Sequence, residues 1–121
     1  MATLTPTLAL TSTDASSDAL SLSVTDNLDI AEPIINLARK SIATGSAQSV
    51  LAANSSHSHV YLKVASSSNA AAYVLVQMDG NTVMKLRVEE FAFFPFKDNI
   101  TLTAEAYTAS CVLEYAQYSN G

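Results

Sequence analysis

The chain has no tryptophan, one cysteine, three glycines and three prolines in 121 residues. A single cysteine, Cys111, excludes an internal disulfide framework and a cysteine-built zinc site. It stands among small residues at the start of an alternating segment and reads as a small buried hydrophobe. A thiol nucleophile needs a base beside it, and the sequence nominates none. Gly45 and Gly80 are isolated turn glycines, so there is neither a phosphate loop nor a dinucleotide fingerprint. No apolar run reaches the length of a membrane-spanning helix. The N-terminal segment 1–8 lacks a basic region and a long apolar stretch, so no export signal is expected.

Charge is scarce as well. Charged residues make up 14% of the chain, against roughly 25% in an ordinary soluble domain. Positive charge is scarcest, with six Lys and Arg against eleven Asp and Glu, for a net charge of −5. Direct nucleic-acid binding is not expected, because phosphate neutralisation needs clustered Lys and Arg. Residues 1–38 hold five acids (Asp14, Asp18, Asp26, Asp29 and Glu32) and no base, while the rest of the chain balances to zero. This acidic third is either a docking face for a basic partner or a solvated face.

What fills the space is Ala, Ser and Thr, 46 residues in all, in a chain that is 49% hydrophobic. The length fits one domain that hides about two-thirds of its unfolded surface. A surface rich in small hydroxyl side chains loses little entropy when ordered, which suits a chain packed against neighbours.

The patterning has a period of two. Met84, Leu86 and Val88 alternate with Lys85, Arg87 and Glu89, and Ile100, Leu102, Ala104 and Ala106 alternate with Thr101, Thr103, Glu105 and Tyr107. Such alternation makes half-buried strands. Leu20, Leu22 and Val24 form a further strand, as do Val60, Leu62 and Val64. Residues 72–78 are apolar on both faces and read as a central strand. Asp79-Gly80 predicts a two-residue hairpin turn with positive φ. In Phe91-Ala-Phe-Phe-Pro-Phe96 the apolar phase slips at Phe93–Phe94, which predicts an aromatic corner with a bulge or bend. Segment 54–59 reads as a loop. Segment 29–40 reads as extended, with a short helix as the alternative, because Ile30, Ile34, Leu37 and Ala38 also fit a helical stripe. Together these give an all-β fold: a seven- to eight-stranded antiparallel β-sandwich, jelly-roll-like or Ig-like. Residues 1–14 read as an extended N-terminal arm and 15–121 as the sandwich domain.

Chemistry has few candidates. His57 and His59 would share one side of a strand, but no third ligand is near and a polar loop is the plainer reading. Glu89-Glu90 is the only adjacent carboxylate pair. A glycosidase needs its acids across a sugar, whereas this pair falls between two strands. No catalytic residue, metal site or cofactor is expected, and the chain reads as a non-enzyme. An aromatic and aliphatic contact surface is the remaining candidate: Leu4, Leu8 and Leu10 from the arm, Phe91, Phe93, Phe94 and Phe96, and Tyr107, Tyr115 and Tyr118.

The segment 85–120 (KLRVEEFAFFPFKDNITLTAEAYTASCVLEYAQYSN) resembles the C-terminal half of small virion structural proteins of tailed bacteriophages. The resemblance runs through Leu86, the acidic turn Glu89-Glu90, the aromatic-proline run 91–96, the alternating strand 100–106 and Leu113-Glu-Tyr-Ala116. It extends to segments 59–77 and 20–33. It departs at Arg87-Val-Glu-Glu90, where a Pro-Gly turn is expected. The resemblance implies a non-enzymatic capsid decoration (cement) protein, or a tail, neck or fibre-associated one. It would be made in the host cytoplasm, located in the virion, and partnered by the major capsid protein and by other copies of itself, with trimers favoured at capsid symmetry positions. From another class, a sugar-binding β-sandwich module would use an aromatic site, and the lack of tryptophan counts against it.

Overall fold

Apolar side chains at every second position can all be buried only if the backbone is extended and one face is covered. The computed structural model describes residues 2–14, 20–55 and 58–120. Among the described residues there is no helix and there are eleven strands. They are β1 (Ala2–Leu4), β2 (Thr7–Ser12), β3 (Leu20–Thr25), β4 (Leu28–Ile42), β5 (Gln48–Leu51) and β6 (Ser58–Ser67). The rest are β7 (Tyr73–Met78), β8 (Asn81–Arg87), β9 (Phe91–Phe96), β10 (Leu102–Tyr107) and β11 (Cys111–Asn120).

Two sheets carry the body, in the orders β1-β4-β11-β6-β9 and β5-β10-β7-β8, and every strand pairing is antiparallel. Their inner faces share one core. Ile42, Val60, Leu62, Val64, Cys111 and Leu113 come from the first sheet, and Leu51, Val74, Val76, Leu102, Ala104 and Ala106 from the second. The architecture is β-sandwich-like. Cys111 is buried there, its Sγ 3.6 Å from the carbonyl of Ala109. β2 and β3 join neither sheet and pair with each other as a two-stranded ribbon.

The strand count is higher than the seven or eight expected. The two facing sheets take eight strands, β4 to β11, and the N-terminal segment adds β1 at a sheet edge and the ribbon. The expected boundary at residues 14 and 15 falls between β2 and β3.

The helical alternative over 29–40 is not realised, for the whole stretch lies in β4. The ladder with β11 runs Tyr115↔Ala38, Gln117↔Ile35, Tyr118↔Pro33 and Asn120↔Ile30, so β4 spends three extra residues over this length. Each bulge shifts the phase of alternation by one and turns a period of two into spacings of three and four. Leu37 of the helix-like stripe is 61% exposed while Ile30 is buried, so the stripe does not mark one buried face. Pro33, which has no N–H to give, sits in this irregular stretch.

The expected slip at Phe93–Phe94 is also absent. β9 pairs with β6 in unbroken register from Lys63↔Phe91 to Ser58↔Phe96. Phe96 is buried and Phe94 packs against the core, while Phe91 and Phe93 are exposed. This strand is apolar on both faces, not bent. The loop expected over 54–59 ends earlier, since Ser58 and His59 already belong to β6; His57 lies outside the described residues.

The hairpin at Asp79-Gly80 is present, with φ of 51° and 82° at the two positions, as a type I′ turn requires. Where the resemblance called for Pro-Gly, Glu89 itself takes a φ of 73°. The turn is held by Glu89 N donating to Val64 O (2.7 Å) and by Arg87 N donating to the Glu90 carboxylate (2.7 Å). Glu89-Glu90 is thus a turn that pins the β8–β9 connection to β6.

Candidate functional site

The ribbon sorts its residues completely by face. Cross-strand partners in an antiparallel pair lie on the same side. Leu8 faces Val24, Leu10 faces Leu22, and Ser12 faces Leu20. The other side carries Thr7 with Thr25, Ala9 with Ser23, and Thr11 with Ser21. One face is therefore aliphatic and the other small and mostly hydroxylic. Neither strand contains a charged residue. The five aliphatic side chains remain 42–53% exposed, although a two-stranded ribbon on its own is marginal in water.

The root of the ribbon is tied down. Asp26 N donates to Pro6 O (3.2 Å), and Thr5 Oγ1 donates to Asn27 Oδ1 (3.0 Å). Beside this root lies a cleft of about 520 Å³ whose walls include Leu8 and Val24 from the ribbon, Met84 from β8 and residues 91–94 of β9. A second hollow of about 280 Å³ shares Pro6, Thr7, Phe91 and Phe93 with it and adds Leu4, Tyr61 and Tyr118. Together they form an apolar trough along the edge strand β9, reaching Met84 of the other sheet and continuous with the aliphatic face of the ribbon through Leu8 and Val24. Asp26 is the one charged residue lining it among those described.

The trough floor is braced by a ring stack and by hydrogen bonds. His59, largely buried, stacks on Phe93 with ring centroids 5.7 Å apart and planes 14° from parallel. Next to it, Tyr61 Oη donates to Glu114 Oε1 (2.9 Å), and Arg39 Nε donates to Glu114 Oε2 (3.0 Å). Burial, then the bond to Glu114, pushes the Tyr61 hydroxyl up to about 12. The hydroxyl of Tyr61, followed by Arg39, holds the Glu114 carboxyl below its ordinary value. A neutral phenol and an ionised carboxylate therefore brace each other, with Arg39 supplying the positive charge.

The structure brings only some of the sequence candidates together. Leu4, Leu8, Phe91, Phe93, Phe94 and Tyr118 line the trough, and Leu10 continues along the ribbon. Phe96 is 3% exposed and Tyr115 packs against the core. Tyr107 lies on the other sheet, stacked on Tyr73 at 5.3 Å, with Lys85 Nζ 4.1 Å from the Tyr73 ring centre. The hydrogen bond to Glu105, then burial, raises the Tyr107 hydroxyl above its ordinary value. Sequence reasoning missed Leu20, Leu22 and Val24 as surface residues, since their alternation looked like that of a sandwich strand. The signal available was their match in length and pattern to 7–12, with no charge in either.

Among the described residues no three His, Cys, Asp or Glu side chains gather to hold a metal ion, and no helix is long and apolar enough to cross a membrane. No protein-family model matches this chain, and no curated protein or solved structure is detectably similar to it.

Proposed function

We propose that this chain is a non-enzymatic structural subunit of a bacteriophage particle, a capsid decoration protein that bridges neighbouring capsomers. The observation that carries an assembly role is the continuous apolar surface of ribbon and trough, which the isolated subunit leaves in water. Such a surface serves contact with another macromolecule.

The direction toward a virion has two supports. One is the likeness of segments 20–33, 59–77 and 85–120 to small phage virion proteins. The other is the winding of the eight body strands. Renumbered from β4, the sheets read 1-8-3-6 and 2-7-4-5, the interleaved order of a jelly roll. That double Greek key recurs in viral capsid domains, as well as in lectins and cupins. Of the two sandwich types expected, this order fits the jelly roll and not the Ig fold. Fold alone does not assign function; here it agrees with what the sequence resembles and with a surface built for contact. The partners in this reading are the major capsid protein and further copies of the chain, with trimers at threefold capsid positions.

Mass spectrometry of purified particles, with copy number taken relative to the major capsid protein, tests the reading. A ratio at a fixed simple fraction of capsid subunits is expected. A count of a dozen or so would place the protein in the neck or tail and overturn decoration, and absence from particles would overturn the virion role itself.

A further inference from the structure

We propose that the aliphatic face of the β2–β3 ribbon is covered by a second copy of this chain, so that copies clasp one another through Leu10, Leu20 and Leu22 on one subunit and the Phe91–Phe93 trough on the next. The inference rests on the reading of the chain as an assembly subunit and names the first partner in that assembly.

Area is the first argument. The five aliphatic side chains leave roughly 400 Å² in water, as large as the biggest apolar patch of a typical monomer. Phe91 (62% exposed) and Phe93 (36%) raise this to roughly 600 Å². A stable interface takes about 800 Å² from each partner; a two-fold pair, in which the ribbon and the trough of each copy both lie in the one interface, approaches it with the Pro6, Leu4 and Tyr118 margins of the trough. When a subunit offers both a ribbon and a trough, each contact between copies removes one of each from water. A closed ring then leaves neither exposed.

Chemistry is the second. The ribbon has no charge and no polar group on its aliphatic face except Ser12, so it cannot recognise a partner by ion pairs or directed hydrogen bonds. Its complement must be apolar and nearly uncharged, and the trough is such a surface on the same molecule. A small apolar ligand could fill the cleft, but it would leave Leu10, Leu20 and Leu22, farther along the ribbon, uncovered. The ribbon can engage a neighbour without unfolding the body, because it pairs with no strand of either sheet.

The test is the mass of the purified full-length chain in solution, by light scattering across a concentration series. A closed oligomer is expected, roughly two or three times the 12.8 kDa subunit. L10K with L22K, which charges the aliphatic face, should return the mass to that of one subunit, and F91K in the trough should do the same. T11K with S21K changes the opposite face of the same ribbon and should leave the oligomer intact. Circular dichroism confirms that each variant keeps its strands. A monomeric wild type, an open-ended distribution of sizes, or equal effects of the two ribbon variants would overturn the clasp. None of these readouts involves a particle, so the clasp can fail while the copy number in virions stands, and the reverse.

Discussion

At the scale of single residues, Tyr61, Glu114 and Arg39 make a small electrostatic unit on the outward face of the larger sheet. Its pH dependence follows from the two shifts. The Glu114 carboxyl is held low in the folded chain, so its contribution is present above the ordinary carboxylate range and is lost as the solution is acidified through the folded value. The Tyr61 hydroxyl is pushed up to about 12, so folding favours the protonated phenol. That contribution is whole below the ordinary tyrosine value near 10 and fades as pH rises from about 10 to about 12. An alkaline titration of phenolate absorbance should therefore show a tyrosine that ionises near 12, and Tyr61→Phe should remove that phase while leaving the raised Tyr107 in place. If the curve loses an ordinary tyrosine instead, the bond to Glu114 is not made in solution. The Tyr107, Tyr115 and Tyr118 cluster imagined from sequence dissolves at this scale, because facing is set by register. Tyr118 pairs with His59, Tyr115 with Leu62, and Tyr107 with Tyr73 on the other sheet.

At the scale of elements, burial separates strands that look alike in sequence. Leu102 in β10 is fully buried between β5 and β7, whereas Leu22 in the ribbon is 43% exposed. Leu102→Ala should cost about 3 kcal/mol, the transfer term plus the cavity left behind. Leu22→Ala should cost under about 1 kcal/mol in a dilute monomer. Urea unfolding midpoints of the two variants check the contrast, and equal losses would mean that the ribbon face is part of the folding core. β10, whose alternation is unbroken, could be read directly, as could the strands β6, β7, β8 and β11 and the Asp79-Gly80 turn. β4 could be read as extended but not told cleanly from a helix, because three bulges break its phase, and β9 was misread as a corner, because phenylalanines on both faces mimic a slip. The trough was legible only in part. Its aromatic wall stands out in composition, but its other wall comes from Leu8, Val24 and Met84, which only the long-range pairing brings there.

At the scale of the whole molecule, sequence neighbours are seldom sheet neighbours. From β4 onward, every connection except β7–β8 carries the chain from one sheet to the other. β11 is central to its sheet, between β4 and β6, so the larger sheet cannot close until segments some seventy residues apart meet. Loop closure on that scale precedes any gain from packing, which places folding in the range of about milliseconds to seconds. Stopped-flow refolding should show it, and a microsecond phase that recovers the full native signal would mean that the long-range pairing is not rate-limiting.

The rims of the two sheets have a consequence of their own. At one rim of the larger sheet β1 covers only Leu28–Ile30, and the rest of the edge is β4, irregular along its length and bearing Arg39 and Lys40; at the other rim β9 carries Pro95, which has no N–H to offer an incoming strand. In the smaller sheet β5 has four residues, and β8 is bulged near Val83 and bears Lys85 and Arg87. Short, bulged, charged and proline-bearing rims do not template further strands. A crowd of these molecules at high local concentration is therefore steered away from fibril growth, and its assemblies stay countable.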